Sequence, residues 1–157
     1  HLKITLVAAH LDHQWRSNSH EDVIFCAHVA ESLNIPFVHK KAEAITLNRN
    51  YNGSQEELGR FLRRAFLTEV QQQYNAQTIS LGHHSDDQQE TFFIRLIRGA
   101  ALQGLSGIKP REGSFIHPLL ECSKQEIIMA LEDHGINYLI DQTNQTDKFL
   151  RNRIRSK

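Results

Sequence analysis

The chain has 157 residues, 39% hydrophobic and 23% charged, a globular balance with enough length for one core. Its 18 basic and 18 acidic residues cancel, which argues against a protein that coats nucleic acid through a global positive field and leaves room only for a local basic patch. The only cysteines, Cys26 and Cys122, form no CxxC pair; a disulfide framework or cysteine zinc site is disfavoured, and a reducing cytoplasm is expected. No apolar run approaches a membrane span and no signal peptide is visible.

The first residue is His1 rather than methionine, and an apolar stretch follows at once, which reads as a chain whose true beginning has been cut away. Ile4-Thr5-Leu6-Val7-Ala8-Ala9 is a continuous apolar run, predicting a strand buried on both faces. A polar loop follows to about residue 20. In the helix after it, Val23, Ala27 and Ala30 recur at helical spacing, and Asn34 ahead of Ile35-Pro36 closes it. Residues 36–39 predict a second short strand. Ser54-Gln-Glu-Glu57 is a capping box, opening a long helix that carries Leu58, Phe61, Leu62, Ala65, Phe66 and Val70 on one face. Residues 78–81 predict another buried strand, ending in Gly82 and His83. Ser85 is placed to cap a helix with Phe92, Phe93, Leu96 and Ile97 on its core side. Residues 115–120 predict a last strand. Ser123-Lys-Gln-Glu126 is a second capping box, and Gly135 is placed to end its helix. With no repeat or linker, the chain reads as one unit of α/β class: a parallel sheet with helices on both faces.

Open parallel sheets bind ligands beyond the carboxyl ends of their strands. Two strands here end in polar clusters, His10-Leu11-Asp12-His13-Gln14-Trp15-Arg16 and Gly82-His83-His84-Ser85-Asp86-Asp87-Gln88-Gln89-Glu90-Thr91. Carboxylates at a helix amino end are stabilised by its dipole, and hard oxygen ligands suit Mg²⁺ on nucleotide phosphates. The competing reading is that Asp86 and Asp87 only decorate the first helical turn. Zinc is disfavoured, since no third ligand follows the paired histidines at a recognisable spacing. For Trp15 two readings stand, stacking on a base or covering the first helix.

Several segments, in order, resemble the tRNA(Ile)-lysidine synthetase family. Gly82-His-His-Ser-Asp-Asp-Gln-Gln-Glu-Thr91, then Arg95-Leu-Ile-Arg-Gly99 and Leu102-Gln-Gly-Leu-Ser-Gly-Ile108, match patterns of the type AHHxDDQxET, RLxRG and LxGLxGM. His10-Leu-Asp-His13 with Arg16 resembles HVDHGLR, and Leu33-Asn-Ile-Pro-Phe37 resembles LGIPF. Pro118-Leu-Leu120 with Ser123 and Glu126 resembles RPLLxxSRxEI, and Asp141-Gln-Thr-Asn144 with Arg151-Asn-Arg-Ile-Arg155 resembles DxSNxxxxxxRNRIR. Arg60 and Arg63 match ARxLRYxFF, although Gly59 stands for its alanine and Arg64 for its tyrosine.

The resemblance implies an N-type ATP pyrophosphatase with an adenine-nucleotide α-hydrolase-like, Rossmann-like fold. It implies a reaction in which ATP adenylates C2 of the wobble cytidine of a tRNA(Ile) with a CAU anticodon, and lysine then displaces AMP to give lysidine. The expected cofactors are ATP and Mg²⁺; the expected partners are that tRNA and L-lysine, in the cytoplasm, with a homodimer as the candidate assembly. Asp86 and Asp87 are the implied metal-ligand and base candidates, with His83 and His84 as further catalytic candidates whose alternative is a structural role at the helix start. His10, Asp12 and His13 are the positions implied beside the nucleotide. Arg60, Arg63, Arg95, Arg98, Arg151, Asn152, Arg153 and Arg155 are the implied substrate and tRNA contacts; exposed helix faces and a solvated terminus are the alternatives for the arginines.

The family's SGGxDS loop, whose amides cradle pyrophosphate at a helix amino end, does not occur in residues 1–157. The chain is therefore expected to be part of an N-terminal catalytic domain lacking its first strand, ATP loop and first helix, and inactive alone. A related cytidine thiolase and a catalytically dead RNA-binding domain are the competing readings.

Overall fold

Strand β1 (Ala8–Asp12) pairs in parallel with β2 (Phe37–Lys41), Ala8 opposite Phe37 and Asp12 opposite Lys41, in the computed structural model, which describes residues 4–46, 52–97, 99, 101 and 106–139. Contacts divide the chain into two units, His1–Ile79 and Ser80–Lys157, and each is taken by itself.

In the first unit, β1 starts at Ala8 rather than at Ile4. Ile4 and Leu6 are exposed, because a strand extends only as far as its partner: the first bond runs from the Ala8 amide to the Pro36 carbonyl at 2.9 Å. The strand also reaches past the apolar run, so His10 and Asp12 lie in the sheet rather than in the loop after it. Parallel strands need a crossover, and α1 (Ser19–Ser32) supplies it. Side chains alternate along β1. Leu11, with Val7 and Ala9, packs with Val38 against Leu62, Phe66 and Val70 of α2 (Gln55–Gln73). Ala8 and His10 line a cavity with Phe25, Cys26, Val29 and Ala30 of α1. Helices therefore cover both faces of this sheet. Asn34 and Asn75 hold φ of 53° and 49° past the ends of α1 and α2. Each is the left-handed residue of a Schellman turn: Ile35 bonds back to Ala30, and Ala76 to Gln71. The Ser54 capping box at the start of α2 is complete.

Strand β3 (Ile79–Ser80) leads into the second unit and lies in a three-stranded sheet, ordered β3-β5-β4. Strands β4 (Arg111–Glu112) and β5 (Phe115–Ile116) form an antiparallel hairpin turning at Gly113, φ 61°. The strand expected over residues 115–120 ends at Ile116, because Pro118 has no amide to continue a ladder. Helix α4 (Lys124–Asp133) opens with the Ser123 capping box and closes at Gly135, φ 63°, as the sequence predicts.

Helix α3 (Ser85–Ile97) departs from expectation at both ends. Ser85 is its first residue, not its cap; the His84 amide donates to Asp87 Oδ2 at 3.0 Å instead. Phe92, Phe93, Leu96 and Ile97 are exposed, whereas Asp87 and Glu90 are the buried residues of the helix. Helical periodicity locates a face, but not which face is covered.

Phe66 is 1% exposed and Phe93 46%. Truncating a fully buried phenylalanine removes transfer energy and leaves a cavity, so Phe66→Ala should cost about 3–5 kcal/mol. Phe93→Ala should cost under about 1 kcal/mol. Urea denaturation followed by far-UV circular dichroism compares them, and equal losses would place the Phe93 face in the core.

Candidate active site

In the first unit the polar groups gather at the carboxyl end of β1. Asp12 is 5% exposed. Burial acts to raise its pKa, but the Gln14 amide (2.8 Å to Oδ1), the Ser19 hydroxyl, and the nearby His10 and Lys41 outweigh it and hold the carboxyl below its ordinary value. Asp12 is thus a fixed anion that ties β1 to the start of α1. Burial is also the main cause lowering the pKa of His10, against the opposing pull of Asp22 and Asp12. Its Nδ1 lies 3.6 Å from Cys26 Sγ, and burial raises the pKa of that thiol.

His13 is pushed down to about 4, by burial first, then by Arg63 and His10, with Asp12 opposing. The Arg63 guanidinium on α2 approaches its Nε2 at 3.3 Å, which suits a neutral ring with the proton on Nδ1 (the tautomer follows from the donor, not from an observed hydrogen). Arg63 is therefore brought to His13, while Arg60, also on α2, points to solvent. Trp15 stacks on His13, ring centroids 4.6 Å apart and planes 26° apart, and lies over Gly59 of α2.

In the second unit the candidates gather at the amino end of α3. His84 sits between two carboxylates, Nδ1 at 3.9 Å from Asp86 Oδ1 and Nε2 at 3.6 Å from Asp87 Oδ2. Asp87 is 8% exposed and caps the helix; the Asp86 side chain is 44% exposed. Asp86 Oδ1 accepts from the Ser85 hydroxyl at 3.3 Å and from the Lys124 amide, the first of α4, at 3.4 Å. Two carboxylates at one helix amino end are a donor set that fits a Mg²⁺ completing its shell with phosphate oxygens and water. Among the described residues no group of three or more His, Cys, Asp or Glu forms a cage by itself. His83 packs its ring against buried His117, centroids 4.9 Å apart, and His117 Nδ1 is 2.8 Å from the Lys109 carbonyl.

Two residues of this helix were not among the sequence candidates. Glu90 is 4% exposed, one turn beyond Asp87 on the same helical stripe; the Glu of the AHHxDDQxET pattern was the available signal. Gln88 clamps the following segment, donating to the Ile108 carbonyl (2.8 Å) and accepting from the Ile108 amide (2.6 Å). A Cβ on Gly107 would meet the side-chain amide of Gln88, so a larger residue there would have to displace that clamp. Arg95 donates to the Ser106 carbonyl and so helps hold that segment. Arg98, Arg151, Asn152, Arg153 and Arg155 lie outside the described residues.

All of residues 1–157 match the PP-loop domain family. The chain is 40% identical over 157 residues to a tRNA(Ile)-lysidine synthase of Geobacter sulfurreducens, covering 98% of this chain and 33% of that protein. It is 37% identical over 150 residues to the enzyme of that name from Parabacteroides distasonis (95% and 34% covered). For Thermotoga maritima the identity is 36% over 154 residues (98% and 37% covered). The chain thus spans about a third of the length of these curated relatives. Among solved structures it resembles the U34-tRNA thiolase NcsA from Methanococcus maripaludis with its 4Fe-4S cluster, at a TM-score of 0.76 and 15% identity, over 97% of this chain and 54% of that one; this likeness is one of fold. Helices on both faces of a parallel pair agree with that fold, and a family match running over residues 1–157 places the chain in the PP-loop domain family.

Proposed function

We propose that this chain is part of the catalytic domain of a tRNA(Ile)-lysidine synthetase, acting in the ATP-dependent ligation of lysine to C2 of the wobble cytidine of a CAU-anticodon tRNA(Ile). The observation that carries the reading is the amino end of α3, where Asp86 and Asp87 bracket the His84 ring. Adenylation needs charge neutralised at the α-phosphate, and the later attack needs a proton taken from the lysine ammonium. Mg²⁺, held by Asp86 and Asp87, would supply that neutralisation. The accessible Asp86 and the adjacent His84 are the proton-accepting candidates, and buried Asp87 fixes the His84 backbone. His10, Asp12 and His13 take the nucleotide side, and Arg63, which the resemblance set among the substrate and tRNA contacts, is reassigned to them by its approach to His13. Arg60, Arg95, Arg98, Arg151, Asn152, Arg153 and Arg155 take the substrate and tRNA side, with a glycine-rich phosphate loop supplied by the longer polypeptide. No helix among the described residues is long and apolar enough to cross a membrane, and the proposed place of action is the cytoplasm.

The Asp87 cap makes alanine a poor probe. Asp87→Ala would remove both the charge and the bond to the His84 amide, costing about 0.5–2 kcal/mol in stability. Asp87→Asn keeps an acceptor oxygen and removes only the charge. In the full-length polypeptide, Asp87→Asn should lower lysine incorporation into the tRNA transcript by about 100-fold or more with an almost unchanged melting temperature. Full activity in this variant would remove Asp87 from the mechanism.

Arg153 is assigned to phosphate. Arg153→Ala should weaken tRNA binding about equally across sequences and reduce the salt slope of binding by about one. A filter-binding series at several ionic strengths that leaves the slope unchanged would sink that contact.

Because His13 is neutral in the fold down to about pH 4, the unfolded chain binds the extra proton between its ordinary value and that limit. Stability should therefore fall as pH drops from about 6.5 to about 4. Chemical denaturation at stepped pH should show this loss shrinking in His13→Gln.

A further inference from the structure

Trp15 and Gly59 fit each other in a way that neither residue explains alone. A Cβ built on Gly59 would stand 2.6 Å from both Cη2 and Cζ2 of Trp15 and 3.3 Å from Cε1 of His13, against 3.4–4 Å for an ordinary contact. The obstructing atoms belong to a rigid indole, so an added methyl group would force the ring aside. Gly59 is buried inside α2, where glycine costs roughly 1 kcal/mol relative to alanine. Helical propensity therefore does not account for it; the indole does.

Trp15 stands at the leucine of HVDHGLR and Gly59 at the alanine of ARxLRYxFF, two among several departures that include Gln14 for glycine and Arg64 for tyrosine. At these two the large ring and the missing Cβ share one space. The indole lies on the His13 ring, 4.6 Å between centroids and 26° between planes, and the other end of that imidazole meets Arg63.

We propose that Trp15, seated in the notch left by Gly59, is a positioning residue that holds the His13 imidazole against Arg63 for nucleotide binding. The inference rests on the assignment of His13 and Arg63 to the nucleotide side, made above. Trp15 touches no substrate in this role. Its indole covers one face of the imidazole, removes the rotamers that would swing Nε2 away from Arg63, and keeps water from the ring. The low pKa of His13 agrees with such cover. The charged or titratable groups acting on it are Arg63 from α2 and His10 and Asp12 from β1.

The test uses the full-length polypeptide with Trp15→Leu, Gly59→Ala and the two combined. Histidine titration by NMR reads the cover directly: either single change should move the His13 midpoint from about 4 towards the ordinary histidine value near 6.5. The combination should be no worse than the worse single change, because removing the indole removes the clash. Steady-state kinetics reads the role, with KM for ATP rising on the order of three- to tenfold in each single variant while kcat stays within about twofold. An unmoved His13 midpoint in Trp15→Leu, or effects of the two changes that simply add, overturns the coupling. A moved midpoint with an unchanged ATP KM overturns the positioning role. His13→Ala is the separate control: an unchanged ATP KM there overturns the assignment of His13 to the nucleotide, and the positioning role with it.

Discussion

A strand covered on both faces has no side left on which to be polar, and β1 is such a strand. Its odd residues pack against α2 and its even residues face α1. Polar groups can then collect only where the ladder ends, because any earlier one would be buried between helices without water. His10 is the borderline case, kept neutral beneath α1 with the Cys26 thiol as its partner. Asp12, further along the strand and buried, is ionised because the Gln14 amide and the Ser19 hydroxyl replace water around it. His13, Trp15 and Arg63 then form the surface that the strand presents.

Helix α3 meets the same demand from the opposite direction. Its buried side chains include two acids, and its large apolar ones face outward. A buried carboxylate needs donors, and the open amides of a helix amino end supply them together with a favourable dipole. The Asp87 bond to the His84 amide uses that provision, so this residue is at once part of the proposed chemistry and part of the helix. The consequence is practical. Stability and activity cannot be separated at Asp87 by truncation, only by a change that keeps the acceptor and removes the charge.

A PP-loop domain with 15% identity to a tRNA thiolase shares its fold. To lysidine synthases it is 36–40% identical over nearly its whole length. The two levels of likeness carry different content. Fold recurs wherever apolar runs and helices alternate at these lengths, and it hosts many reactions. The histidine and aspartate pairs before and within α3 sit at an element's end, where Asp87 caps the helix and His83 packs against His117, so local structure accounts for part of their presence.

The sequence by itself determined what local physics controls. Both capping boxes, the left-handed closures at Asn34 and Gly135, and the helical stripe of Phe66 and Val70 were legible because each depends on residues within a few positions of one another. So was the clustering of polar side chains where β1 and β3 end. Tertiary structure decided what depends on partners distant in the chain. The start of β1 was set by the reach of β2, so apolarity from Ile4 onward misplaced it. Which face of α3 is buried was set by what lies against it, and the apolar stripe alone pointed the wrong way. The cap at α3 passed from Ser85 to Asp87 because the carboxylate can reach back to the His84 amide. The pairings of Trp15 with Gly59 and of His13 with Arg63 were absent from any local pattern. They join the end of a strand to the middle of a helix, a contact that exists only once β1 and α2 have packed together around Leu11 and Phe66.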